Sequence, residues 1–376
     1  MRPRPDRIDR LPEQYFARLL ARVAAAAAQD GDEVIDLGRG NPDIGPPQHV
    51  VDALSSAAGD QSAHGYPPFR GIPELKEAVA ARYRDVYGVE LDPEREVAVV
   101  PGTKTAIVEV AMCLAERGET ILLPDPGYPD YTSGVALAGA REGRVRLDPD
   151  EGFAPDLAGA PRDGVAALYL NYPSNPCAAS APPGVFAQTV RWAEETGAGV
   201  LHDFAYADLM FDGLRPASFL AEPGAKEVGG ELFSMSKSYG MAGWRLGFVV
   251  GNAELVERVN LLQDHVRAGV FRPVQVAGVA ALTGPQESVE ERRAIYERRR
   301  DRVVAAVPDT RSDSTFYVWW PLPERLTPGR ILAEHRIAVA PGEGFGELVR
   351  GWARILLATH DDRLDAGLSR LAALLA

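Results

Sequence analysis

The sequence is poor in what several classes of protein require. Its two cysteines, Cys113 and Cys177, can build neither a disulfide framework nor a thiolate metal centre, so no metal is expected. Forty lysines and arginines stand against 53 aspartates and glutamates, a net charge of −13. That balance argues against nucleic-acid binding as the main task, because phosphate contact needs a basic surface. Long apolar runs are missing too. The stretch VAAAAAQ (23–29) is too short and too weakly apolar to cross a bilayer, and the opening MRPRPDRIDRLPEQYF is too polar for a signal peptide. The expectation is a cytoplasmic protein with no membrane or nucleic-acid partner.

What remains is an ordinary globular composition, 46% hydrophobic and 25% charged. A chain of 376 residues exceeds what one core usually serves and suits two domains. Its middle alternates short apolar runs with amphipathic stretches. EVAVVPG (96–102) reads as a strand and turn, and TAIVEVAMCLA (105–115) as a helix. VAALYLNYPSNP and AGVLHDFAYADL each read as a strand ending in a polar loop, with the helical FAQTVRWAEETG between them. Repeated β-then-α units imply a mostly parallel sheet covered by helices, and such sheets collect ligands at the carboxyl ends of their strands. The last third differs. A long charged helix (SVEERRAIYERRRDRVVAAV), short strands and a closing helix suggest a smaller α+β domain, joined by the N-terminal amphipathic helix. The expected division is a large domain over 46–270 and a small one from 1–45 and 271–376.

Taken singly, the strand-end loops are bland. PGTKTAI places Gly102, Thr103 and Lys104 at a helix start, which can cradle an anion or simply make a turn. Asp203 in HDFAYADL can meet a ring nitrogen or cap a helix, with Tyr206 three residues on. Asn171 and Asn175 in NYPSNP read as turn residues, while Tyr128 and Tyr131 in DPGYPDY offer aromatic faces. Lys237 in SMSKSYGMAGWRLGF is either a solvated charge or a reactive amine. Together they supply what a flat, phosphorylated heteroaromatic aldehyde needs: an amine, an acid for the ring nitrogen, a donor for the ring hydroxyl, an aromatic face and an anion cradle.

Those motifs, with LGRGNPD, GYPPFRGIPELKEAVA and RILLAT, span nearly the whole chain. The sequence resembles the fold-type I pyridoxal-phosphate aminotransferases of class I/II. The resemblance implies the aspartate-aminotransferase-like α/β fold, a mostly parallel seven-stranded sheet in a large domain plus a small α+β domain, and a homodimer. It implies that Lys237 forms the Schiff base with the cofactor and shuttles the proton, its pKa lowered because a reactive amine must be partly neutral. Asp203 would pair with the ring nitrogen, Asn175 and Tyr206 with the ring hydroxyl, and Tyr128 would stack on the ring. Gly102, Thr103, Lys104, Ser234, Ser236 and Arg245 would surround the phosphate, with Tyr66 reaching it from the neighbouring subunit. Arg354 would grip the substrate carboxylate, helped by Gly40 and Asn175.

Two departures stand out. The family usually writes Asn-Pro-Thr-Gly where this chain has NPCA, so the turn ending at Ala178 must form without glycine. Ser314–Thr315 likewise stands where glycine usually precedes the Phe-Tyr pair. Within the family the chain is most similar to a bacterial branch that converts 4-methylthio-2-oxobutanoate to methionine. Arg39, beside Gly40, can bind a distal carboxylate such as that of glutamate or point to solvent, and Arg272 is a second candidate from the partner subunit. Lyases on the same fold share Lys237, Asp203 and Arg354, and the departures at Cys177–Ala178 and Ser314–Thr315 leave a specialised-metabolism aminotransferase open as an alternative. A regulator's sensor domain is disfavoured, because such proteins carry an N-terminal DNA-binding domain.

Overall fold

Strands buried along their whole length, such as VAVV and GFVVG, must be covered on both faces, and the fold is organised around that requirement. The computed structural model describes residues 4–29 and 31–375. Its main elements begin with α1 (Tyr15–Ala27), β1 (Ile35–Asp36), α2 (Gln48–Gly59) and α3 (Pro73–Arg82). The central run follows as β2 (Val97–Val100), α4 (Thr103–Leu114), β3 (Thr120–Asp125), α5 (Tyr131–Ala138), β4 (Arg141–Asp148), β5 (Ala154–Pro155), β6 (Val165–Asn171), α6 (Val185–Thr196), β7 (Gly199–Asp203), β8 (Gly229–Ser234) and β9 (Gly247–Gly251). Then come α7 (Ala253–Val266), α8 (Arg272–Thr283), α9 (Glu287–Ala306), β10 (Tyr317–Pro321), α10 (Pro328–His335), β11 (Ile337–Ala338), β12 (Ala340–Pro341), β13 (Trp352–Leu356) and α11 (Asp361–Leu375).

Eight strands form the central sheet in the order β2-β9-β8-β7-β6-β3-β4-β5. Strands β3, β4, β6, β7 and β8 run parallel, while β9 is antiparallel to both its neighbours. Seven strands were expected; the eighth, β5, is a two-residue edge strand antiparallel to β4. Register does the assembling. Asn171 pairs across from Asp203, Asp203 from Leu232, and Ser234 from Gly247. Three polar strand ends therefore stand side by side at one edge of the body.

The second lobe has a β10-β13-β12 sheet and a parallel β1–β11 pair, covered by α9 and α11. Its core joins Ile35 and Leu37 with Tyr296, Val303, Trp320, Ile355 and Leu364. Helix α1 belongs to this lobe as well, since Tyr15 and Leu19 bury against Trp319, Ala340 and Phe345. The expected division falls at 270, just ahead of α8. Helix α8 lies on α2 and α3 and buries Ala277 and Ala281 in the body core. Gly278 lets it approach closely, for a Cβ there would stand 2.6 Å from Leu246. We therefore propose the division just before α9, leaving α8 in the body. Residues 1–3, 30 and 376 of the expected small domain lie outside the described residues.

Candidate active site

A cavity of about 430 Å³ opens where the strand ends of the body face the lobe. It is lined by Asn171, Asn175, Asp203, Tyr206, Ser234, Ser236 and Lys237 from the body's loops, and by Arg39, Gly40 and Tyr317 from the lobe.

Asp203 ends β7 and is buried. Its Oδ2 accepts a hydrogen bond from Tyr131 Oη at 2.8 Å, and its Oδ1 accepts one from the Ala205 N–H at 3.2 Å. Burial raises its pKa, opposed by those bonds and by the nearby charge of Lys237. Asn171 Nδ2 donates to the Asp203 carbonyl at 2.8 Å, and Asn171 Oδ1 accepts from the Asn175 N–H at 2.7 Å, so one asparagine ties two strand ends together. Lys237 rides on the single helical turn Met235–Ser238, for which Ser234 is the cap. Its Nζ lies 5.0 Å from the centre of the Phe316 ring and 5.7 Å from that of Tyr206. Burial, with help from the charges of Arg354 and Arg245, pushes its pKa down to about 8, and Asp203 opposes them. The sequence-based expectation of a lowered lysine pKa thus has a structural cause.

Next to the lysine, Gly102 caps α4 with a φ of 84°, a conformation that favours glycine. A Cβ there would come within 2.3 Å of the Arg245 guanidinium, so the glycine makes room for the cation. The first N–H groups of α4, from Thr103 and Lys104, have no carbonyl partner in their own helix, and both residues line the cavity. With the Arg245 guanidinium packed against Gly102, these groups make a cationic cradle that fits a phosphate. The lysine, the buried carboxyl and this cradle fit the rest of a phosphorylated pyridine aldehyde. The Lys104 side chain does not join the cradle, as its Nζ pairs with Asp130 at 2.7 Å.

From the lobe, Arg354 of β13 comes in fully buried. Its Nη1 donates to Asn175 Oδ1 at 2.6 Å and its Nη2 to the Gly38 carbonyl at 3.2 Å. The guanidinium lies 3.8 Å from the Tyr317 ring centre, 4.8 Å from that of Phe345 and 5.4 Å from that of Phe16. Among the described residues no carboxylate pairs with it, and its Nε has no acceptor. A buried cation held by neutral groups alone is costly unless an anion arrives. Gly40 sits against Tyr317, whose hydroxyl a Cβ would strike at 2.3 Å. Tyr206 Oη donates to Tyr317 Oη at 3.3 Å. Arg39 is exposed at the cavity rim. Tyr66 is 87% exposed and, like Arg272, lines no part of this cavity.

Four participants escaped assignment from the sequence. Tyr131 was noted only as an aromatic face, and its hydroxyl instead holds Asp203. Tyr317 was hidden by the departure at Ser314–Thr315. Phe16 and Leu20, which line the cavity from α1, looked like one face of an amphipathic helix. The departures themselves are accommodated by strain. Ala178 adopts φ 53° and Thr315 φ 68°, both left-handed. They meet through the Ala178 carbonyl, which accepts from Ser314 Oγ at 3.0 Å and from the Asp313 N–H at 2.9 Å.

Residues 32–371 match the aminotransferase class I and II family. The chain is 44% identical to the L-glutamine–4-(methylsulfanyl)-2-oxobutanoate aminotransferase of Bacillus subtilis, covering 97% of this chain and 94% of that one. It is 41% identical to an LL-diaminopimelate aminotransferase of Desulforudis audaxviator, covering 97% and 96%. The substrate-bound structure of BacF from Bacillus subtilis superposes with a TM-score of 0.93 at 37% identity, covering 100% of this chain and 98% of that one.

Proposed function

Because the chain belongs to the class I and II aminotransferases and is thereby a pyridoxal-phosphate enzyme, we propose that it moves an amino group between methionine and its 2-oxo acid, 4-(methylsulfanyl)-2-oxobutanoate, with a glutamine- or glutamate-like donor. When bound, the cofactor supplies an aldehyde to capture the amino group and a ring that withdraws electrons.

The protein's own groups do the rest. Lys237 Nζ, with its pKa down near 8, can lose its proton near neutrality and then take one from the substrate Cα. The Asp203 carboxyl, positioned by Tyr131, would pair with the ring nitrogen. Asn175 and Tyr206 would serve the ring hydroxyl, and Tyr128 would cover a ring face. Gly102, Thr103, the Lys104 N–H, Ser234, Ser236 and Arg245 would hold the phosphate. Arg354 takes the substrate carboxylate as a fork, and its burial without a carboxylate partner is the observation that carries this reading. Phe16 and Leu20 present an apolar wall that suits a thioether side chain, and the similarity to the B. subtilis enzyme supports the same substrate. Arg39 at the rim suits the distal polar group of the donor.

We propose a homodimer in which Tyr66 of the partner subunit completes each phosphate site. Supporting this, the exposed Tyr66 shares its surface with exposed Phe69 and Phe271, the latter 6.1 Å from the His64 ring. The cytoplasm is the compartment we propose, in keeping with two free cysteines. The deciding experiment is a set of half-reactions followed by the cofactor spectrum, offering methionine, glutamine, glutamate, an aromatic and a dibasic amino acid in turn. Methionine and an amide or acidic donor should convert the cofactor to its amine form with equimolar oxo acid. Steady release of ammonia would instead mark a lyase, and preference for the dibasic substrate would overturn the methionine assignment.

A further inference from the structure

Asp130 lies behind the cavity wall, on the body, with its side chain buried against the lining residues Tyr128 and Lys104. Donors from three separate places converge on its carboxylate. Tyr128 Oη donates to Oδ2 at 2.6 Å, Lys104 Nζ pairs with Oδ2 at 2.7 Å, and Gln14 Nε2 donates to Oδ1 at 3.1 Å. A buried carboxylate needs such partners, and charge-assisted bonds are the strong ones.

The Gln14 bond is the unusual member. Gln14 caps α1, its Oε1 accepting from the Ala17 N–H at 2.7 Å. Helix α1 is fastened to the lobe by Tyr15, whose hydroxyl donates to the Pro341 carbonyl at 2.9 Å. Phe16, next in sequence, places its ring 5.4 Å from the Arg354 guanidinium and 6.2 Å from the Tyr128 ring. The bond from Gln14 to Asp130 therefore crosses from lobe to body beside the groups that face cofactor and substrate.

We propose that Asp130 is a positioning residue that ties α1 of the lobe to Tyr128 of the body, keeping Phe16 and Leu20 against the substrate half of the cavity. The same carboxylate occupies the Lys104 ammonium, which leaves Arg245 as the cation of the cradle. This inference rests on reading Arg354 as the carboxylate fork and Tyr128 as the ring cover.

The test separates the tie from the helix cap. Gln14→Glu keeps an acceptor for Ala17 and replaces the donor with an oxygen facing Asp130. In the holoenzyme it should raise KM for the amino acid about tenfold, the scale of one charge-assisted bond, and change kcat far less. Cofactor affinity should hold, and deuterium exchange over residues 15–20 should quicken by a similar factor. Adding Asp130→Asn to Gln14→Glu supplies an amide donor from the other side and should restore both KM and exchange. Unchanged KM and exchange in Gln14→Glu, or no restoration in the pair, would overturn the tie. The exchange readout does not depend on the function of Arg354. If Arg354→Ala leaves KM unchanged, the reading of the substrate half fails separately.

Discussion

On the body side of the cavity, Asn171, Asp203 and Ser234 stand at the ends of neighbouring strands, and Gly102 and Arg245 join them through the adjacent turn. On the lobe side, Phe16, Gly40, Tyr317 and Arg354 come from four segments spread over most of the chain. Sheet register holds the first group, so each side chain's place follows from its own strand. The second group is held by contacts that cross between segments: a guanidinium against three rings, a hydroxyl against a glycine, a glutamine reaching Asp130. Ladder bonds fix a strand end whatever the neighbouring side chains are, whereas each cross-segment contact is one side chain deep. The cofactor half should therefore be the stiffer, and the substrate half the one that sets specificity.

The largest test lies in the cofactor half. On the proposed roles of Lys237 as covalent attachment and proton carrier, Lys237→Ala should lower turnover by about 10⁴-fold or more. Borohydride reduction of the wild type should label a single peptide, the one containing Lys237. A label elsewhere would break the assignment.

The next pair of variants should separate the halves. Arg354→Ala should lower kcat/KM on the order of 10²- to 10³-fold and leave the cofactor spectrum and its dissociation constant unchanged. Gly102→Ala should do the reverse. The added methyl displaces Arg245, and cofactor affinity should fall about tenfold by loss of one charged contact while KM for the amino acid holds. Coupled losses in both variants would mean that the two halves are not separately built.

A smaller effect should appear without cofactor. Burial disfavours the charged form of Lys237, so Lys237→Met should raise the melting temperature of the apoprotein by about 2–4 °C at pH 7. The folded chain releases the proton near pH 8 and the unfolded chain near 10.5. Between those values the unfolded state binds more protons, so wild-type stability rises with pH there and the advantage of the methionine variant should shrink. Calorimetry at pH 7 and pH 10 checks the sign. Smallest of all, Ala178→Gly relieves a left-handed alanine and should stabilise the fold by about 1 kcal/mol. A loss of stability would show that the junction of Ala178 with Asp313 and Ser314 outweighs the strain.

Legibility followed the same division. The loops carrying Gly102, Asn175, Asp203 and Lys237 could be read because each follows an apolar strand, and parallel strands bring their ends together. Tyr131 was visible as a residue but not as the partner of Asp203, since 72 positions separate them. The division we propose before α9 was not legible for a similar reason. The sequence changes character near residue 270, but α8 packs by its small residues onto α2 and α3, which no local pattern reveals. Arg39 was open between a bound carboxylate and solvent, and the structure places it exposed yet on the cavity rim.

The order of strands and helices, the candidate lysine and the kind of cofactor were legible in the sequence alone, because hydrophobic period and strand-end chemistry are local properties. Only the tertiary structure decided that Arg354 lies buried without a carboxylate partner, that Phe16 covers it, and that Gln14 reaches Asp130. Those facts depend on how the lobe closes on the body, and that closure is set by packing between residues far apart in the chain.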